Sequence, residues 1–198
     1  MSKTDPDASR KARHKTIRWV VTIFLVTIVI SGTISFISDE VMSKSGIVTA
    51  FLILLAIILV GIIFDIIGMA VATADEKPFH SMAARKVPGA QAAIRLLRNA
   101  ERVSSICNDV VGDICGVVSG SASATIAAQI LQSVEFGWPQ VISLLMSAFC
   151  AGLTVGGKAI GKTFAVKSAT TIVHMVGKLI YWLGHIPEFF RSKKKNKH

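Results

Sequence analysis

The sequence predicts an all-α fold: a polytopic membrane protein with four transmembrane helices and cytoplasmic juxtamembrane amphipathic helices. Three observations carry this. Apolar residues cluster into segments long enough to cross a bilayer, which takes about 20 residues per helix. Helix-breaking residues separate two of those segments. Lys and Arg then fall almost entirely on one side of the implied topology. Composition alone decides less, since 52% hydrophobic residues in a chain of 198 is near the value for a soluble domain.

Residues 1–18 form a basic tail with six Lys/Arg. Trp19–Ile37 follows, 19 residues without a charge. A signal-peptide core also follows a basic stretch, but it runs roughly 7–15 residues and ends at a small-residue cleavage site. Here SDEVMSKS follows, so residues 19–46 read as a retained helix and an outer loop. Ile47–Ala74 has 28 residues and one charge, Asp65; it spans with some tilt or overhang. It closes on TADE, two carboxylates where the span leaves the hydrocarbon. The third span is Val103–Leu131 and the fourth Val141–Val155. Between them GWP, residues 137–139, reads as a tight turn joining antiparallel helices.

The loop KPFHSMAARKVPGAQAAIRLLRNAER between the second and third spans reads as two short helices broken by VPG. In the second, Ala92, Ala93, Leu96 and Leu97 make an apolar stripe, and Arg95, Arg98 and Arg102 a basic face. Such a helix lies on a membrane surface or under the spans. Ala169–Ile186 has the length of a fifth span. It carries His174, Lys178 and His185, however, and a fifth span would export the KKKNKH tail. It is therefore read as an interfacial helix anchored by Tyr181 and Trp182.

Charge tests the topology. Short cytoplasmic loops accumulate Lys and Arg. The N-terminal tail has six, residues 75–102 six, and the stretch from Lys158 onward nine; the outer loops hold Lys44 alone. Of 22 basic residues, 21 fall on one side, which places both termini in the cytoplasm of a cell-membrane protein. The same placement accounts for the net charge of +10 without nucleic acid, for which no binding motif is present. The tail 191–198 suits anionic lipid head groups. Cys107, Cys115 and Cys150 have no metal-ligand spacing and read as small apolar fillers.

Polar residues inside spans are costly and mark candidate function. Asn108 lies about 9 Å and Asp113 about 17 Å beyond Arg102 along the helix. Asp113 is thus near the midplane, either as a hydrogen-bonded structural carboxylate or as part of a cation path. Hard cations such as Mg²⁺ take oxygen ligands, which Asn108, Asp109 and Asp113 supply, as do Asp65, Thr73, Asp75 and Glu76. The second and third spans run antiparallel, so Thr73 and Glu76 share a depth with Asn108 and Asp109. Asp65 and Asp113 share a deeper one. His80 is a lone histidine and a weak metal candidate. Gly112, Gly116, Gly120, Ala124 and Ala128 recur every four residues, a small face that packs within the chain or forms a homodimer seam.

The stretch ATADEKPFHSMAARKVPGAQAAIRLLRNAERVSSICNDVVGDICG resembles the transmembrane domain of the CorC/CorB and cyclin-M (CNNM) magnesium transport family. That family has roughly S-G-x-F-S-A-A-E at a span end, a helical loop with a Gly, a span with an early Asn, and later G-E-I-x-P-K-x-x-A. Thr73, Glu76, Gly89, Asn108 and GKAIGKTFA, residues 157–165, fall at corresponding places. The resemblance covers residues 47–190. It implies a homodimer with a buried site for a divalent cation, Mg²⁺ as transported ion, with Thr73, Glu76 and Asn108 at the matching positions; Asp65, Asp109 and Asp113, read from the spans themselves, could complete a rebuilt site. The sequence departs from the pattern at Met69 for a Ser, Lys158 for a Glu and Gly161 for a Pro. The family's CBS pair is not expected in this sequence, in which eight residues follow Phe190.

Two functions follow. One is a divalent-cation transporter or a shortened relative. The other is a non-transporting membrane scaffold or partner subunit that keeps the fold. An enzyme is not expected, since no nucleophile–base pair, phosphate loop or HExxH is present.

Overall fold

Inside a bilayer every backbone N–H and C=O must be satisfied within the chain, which favours helix over open strand. The computed structural model describes residues 6–133 and 138–195, with side-chain surroundings given for residues 17, 18, 20–133 and 138–183. Among the described residues there are helices and no strands. In order they are α1 (Pro6–Ser43), α2 (Ile47–Thr73), α3 (Lys77–Ala84), α4 (Ala90–Arg98) and α5 (Ala100–Ser105). A π-helical segment (Ile106–Gly112) then leads into α6 (Asp113–Ser133), α7 (Pro139–Lys167) and α8 (Ala169–Lys195). Four stretches are long and apolar enough to cross a membrane: Val20–Ser43, Ile47–Thr73, Ala100–Ser133 and Pro139–Lys167. The surroundings of the basic tail residues 1–16 and 191–198 lie outside the described side chains, as does Gly137 of the GWP turn.

Three boundaries differ from the sequence reading. Helix α1 continues through SDEVMS rather than ending at Ile37, so residues 44–46 alone join it to α2. The acidic residues there are held on the helix. Asp39 accepts a hydrogen bond from the Thr125 hydroxyl at 3.2 Å, and Glu40 pairs with Lys44 one turn on. Helix α7 runs past Val155 to Lys167, so Lys158 and Lys162 lie within it. Finally, seven residues of the third span are wound as a π-helix, a local widening often found at functional sites.

Helix α2 is the axis of the bundle and packs on α7, α6, α8 and the π segment. Two apolar cores lie along it. One joins Leu54 and Ile58 to Met42, Ala122, Ile126 and Cys150. The other joins Ala70 and Val71 to Phe79, Ala93, Ala165, Ala169 and Val173. Between them α2 meets the third span at two glycines. A Cβ on Gly61 would lie 2.8 Å from Cys115 Cβ, and a Cβ on Gly68 would collide with the Asn108 amide. Helix α7 approaches with its own glycines, Gly157 and Gly161, against Ile62 and Ile66. Small residues are what allow such approach between apolar helices.

At the other end of α2, TADE turns the chain. The Asp75 carboxylate accepts a hydrogen bond from the Lys77 N–H at 3.1 Å, and Pro78 sits in the first turn of α3. Helix α3 closes in a Schellman turn. The Val87 N–H reaches Met82 O at 3.0 Å and the Lys86 N–H reaches Ala83 O at 2.9 Å. Its left-handed position, usually Gly, is Lys86 at φ 56°. The expected VPG break follows. Gly89, at φ 86°, lets α4 meet α8 backbone to backbone: a Cβ there would lie 2.5 Å from Lys178 N, and one on Gly177 2.6 Å from Gly89 O. The apolar stripe of α4 is divided. Ala93 and Leu97 join the core, while Ala92 and Leu96 line a cleft. Helix α8 is therefore a docked element of the bundle's basic end, held by α4 and α2.

Gly89→Ala combines a left-handed backbone, costing an L residue about 1–2 kcal/mol, with a backbone clash. Thermal unfolding in detergent should show it clearly destabilised. Gly32→Ala, with nothing within 4 Å, should leave the midpoint unchanged or raise it slightly.

Candidate functional site

Among the described residues the most buried charge lies between the two cores. Asp65 is 3% exposed, about two thirds of the way along the most apolar helix. Lys158 Nζ lies 4.0 Å from its Oδ1, and Lys162 Nζ 4.0 Å from its Oδ2. Lys158 also stands 3.9 Å from Asp113 Oδ1 and donates a hydrogen bond to Gly112 O at 3.3 Å. Two carboxylates and two ammonium groups thus share one layer, and their formal charges cancel. Gly112 lies against this layer: a Cβ there would be in van der Waals contact with Lys158 Nζ at 3.4 Å and Asp65 Oδ1 at 3.7 Å. Contacts near 4 Å are ion pairs without hydrogen-bond geometry. Accordingly Asp65 Oδ2 is buried with no hydrogen-bond partner. An isolated buried carboxylate would be far more costly than a paired one.

Asn108 and Asp109 occupy the π segment, apart from this layer. Asn108 Nδ2 donates to the Ser104 hydroxyl at 3.2 Å, its side chain lies over Gly68, and its Oδ1 is buried without a partner. Asp109 accepts a hydrogen bond from the Ser105 hydroxyl at 2.8 Å rather than meeting Lys158. Both line an open cleft of about 480 Å³ with Ala72, Glu101, Ser104 and Ser105.

Thr73 and Glu76 reach the expected depth but not the expected face. The Thr73 hydroxyl is exposed and donates to Met69 O at 2.8 Å, closing its own helix. Glu76 accepts from Arg98 Nε at 3.2 Å and pairs with His80 at 3.2 Å. It is Ala72, not Thr73 or Glu76, that α2 turns toward the Asn108 cleft. The six candidate ligands therefore divide into three places: Asp65 with Asp113, Asn108 with Asp109, and Thr73 and Glu76 at the end of α2. Among the described residues no three of His, Cys, Asp or Glu gather to hold a metal. His80 is engaged with Glu76.

The four-residue stripe also divides. An α-helix turns about 100° per residue, so each four-residue step advances about 40°. Gly112 faces inward, against Lys158 and Asp65. Gly116 and Gly120 have nothing within 4 Å, and Gly120, Ala124 and Ala128 are exposed. Gly112 therefore packs within the chain, and the small outer face begins at Gly116. Between the long helices, close approach falls instead at Gly61, Gly68, Gly157 and Gly161. The G-x-x-x-G of GGKAIG, residues 157–161, is the sequence signal for two of them.

Lys158→Met should cost about 3–5 kcal/mol, because it strips a buried carboxylate of its main partner. Adding Asp65→Asn should restore most of that loss. Denaturant unfolding of both single variants and the double variant checks the coupling; additive losses would mean the layer does not act as a unit. Comparison with protein-family models, curated proteins and solved structures finds no match to this chain.

Proposed function

We propose that this chain is a non-transporting membrane scaffold or partner subunit, with the CorC/CNNM-like fold, in which the Lys158 ammonium takes the place of a bound cation. The observation that carries this reading is Lys158 Nζ set between Asp65, Asp113 and Gly112 O. A divalent cation in a low-dielectric site needs negative charge to offset its lost hydration. Here Lys158 and Lys162 already balance Asp65 and Asp113. In the resembling family the position of Lys158 carries a Glu, so the reversal exchanges an ion ligand for an internal cation. The resemblance rests on the motifs quoted above. The Lys/Arg distribution supports a topology with both termini in the cytoplasm.

Assembly is supported by the outer face of α6. The Asp113 side chain is 71% exposed on a helix able to cross a membrane. A charge facing lipid there costs about 2.5–3.5 kcal/mol. A second copy packed on the adjoining Gly116 and Gly120 covers it, and this homodimer is part of the proposal.

A second reading keeps divalent-cation transport, most simply of Mg²⁺. It is favoured by one observation, the unpartnered Asn108 Oδ1 beside the Asp109 cleft. Mg²⁺-dependent thermal stabilisation separates the two. A ligand at 100 times its dissociation constant adds about 2.7 kcal/mol. The scaffold reading expects no such gain in the wild type and a gain in Lys158→Glu. A gain in the wild type that Asn108→Ala abolishes would establish the second reading instead. For assembly, Gly116→Leu should yield folded monomers in detergent, since nothing within the chain fills that space; an unchanged dimer would place the contact elsewhere.

A further inference from the structure

The basic end carries a cleft that neither reading uses. It lies between the Schellman turn, α4 and α8, and encloses about 690 Å³. Its lining includes the apolar Leu96, Val103 and Ile180 and the polar Lys86, Gln91 and Arg95. Among the described residues none that lines it is acidic. Among the described residues neither Lys86 nor Arg95 pairs with a carboxylate, whereas Arg98, one residue-turn away on the same helix, is held by Glu76.

The walls are fixed. Gly89 and Gly177 bring α4 and α8 into backbone contact, and the His174 ring meets Pro88 O at 3.3 Å. Lys86 is also held where it stands by a left-handed backbone that a Lys adopts only at a cost. Location decides the occupant. Val103 belongs to the Ala100–Ser133 stretch that can cross a membrane, so the cleft lies where that span begins. A ligand matching this lining carries an anionic group and a hydrocarbon chain.

We infer that this cleft binds one anionic phospholipid, its phosphate against Lys86 and Arg95 and an acyl chain along Leu96, Val103 and Ile180. Guanidinium and ammonium groups together suit a phosphodiester, the first by paired N–H donors and the second as a point charge. The site is separate from the diffuse attraction of the KKKNKH tail, and it stands whether or not Lys158 replaces a transported cation.

The test uses the full chain in a neutral detergent, with phosphatidylglycerol, phosphatidylcholine or inorganic phosphate added. Native mass spectrometry counts bound lipid and thermal unfolding reads its effect. Phosphatidylglycerol should bind as one tight equivalent and raise the unfolding midpoint; the other two should not. Lys86→Gln with Arg95→Gln should weaken that binding at least tenfold, while replacing Lys193, Lys194 and Lys195 by Gln should leave it intact. Lys86→Gly guards against a merely structural effect. It relieves the strained turn, so its midpoint without lipid should hold or rise while its lipid response falls. A response that survives the double variant, that is lost with the tail, that inorganic phosphate or phosphatidylcholine reproduces, or that never occurs, would overturn the proposal.

Discussion

A carboxylate buried within the most apolar helix constrains nearly everything around it. Asp65 is 3% exposed and needs opposite charge within a few ångströms. Two lysines on α7 supply it. For their side chains to arrive, α7 must lie close to α2, and Gly157 and Gly161 permit that. For Lys158 to reach Asp113 as well, the third span must present Gly112 and its carbonyl at the same level. The π segment ends at this residue. The charged layer and the glycines are therefore one device, with an apolar core on each side of it.

That layer was partly legible. Asp65 and Asp113 were expected at a common depth, and both lie within reach of Lys158. Depth follows from residue counting along a helix, but azimuth does not. Thr73 and Glu76 were at the right height and on the wrong side, because Thr73 bonds its own helix and Glu76 is held by Arg98 and His80. The apolar run of the fourth span stops at Val155, and two lysines follow. Their charge reads as the end of a span unless the buried partner on another helix is known. The π winding that carries Asn108 and Asp109 left no mark in the sequence.

The glycines show the same limit. The stripe from Gly112 to Ala128 stood out by regular spacing, yet regularity at four residues winds slowly round the helix and turns Gly112 inward. The closer contacts belong to glycines with less conspicuous spacing. The docking of α8 on α4, through Gly89 and Gly177, joins residues nearly ninety positions apart and carries no local signal. TADE, in turn, proves to be a structural turn: Asp75 caps the start of α3, and Glu76 anchors α4 through Arg98.

The central claim is that Lys158 fills the place a divalent ion would hold. Crystals grown with Mn²⁺ in place of Mg²⁺ test it most directly, since anomalous scattering locates each bound ion. The account predicts no anomalous peak between Asp65 and Asp113, with Lys158 Nζ remaining within about 4 Å of both carboxylates, the reach of an ion pair. A Mn²⁺ peak bridging those two carboxylates, with Lys158 turned aside, would contradict it.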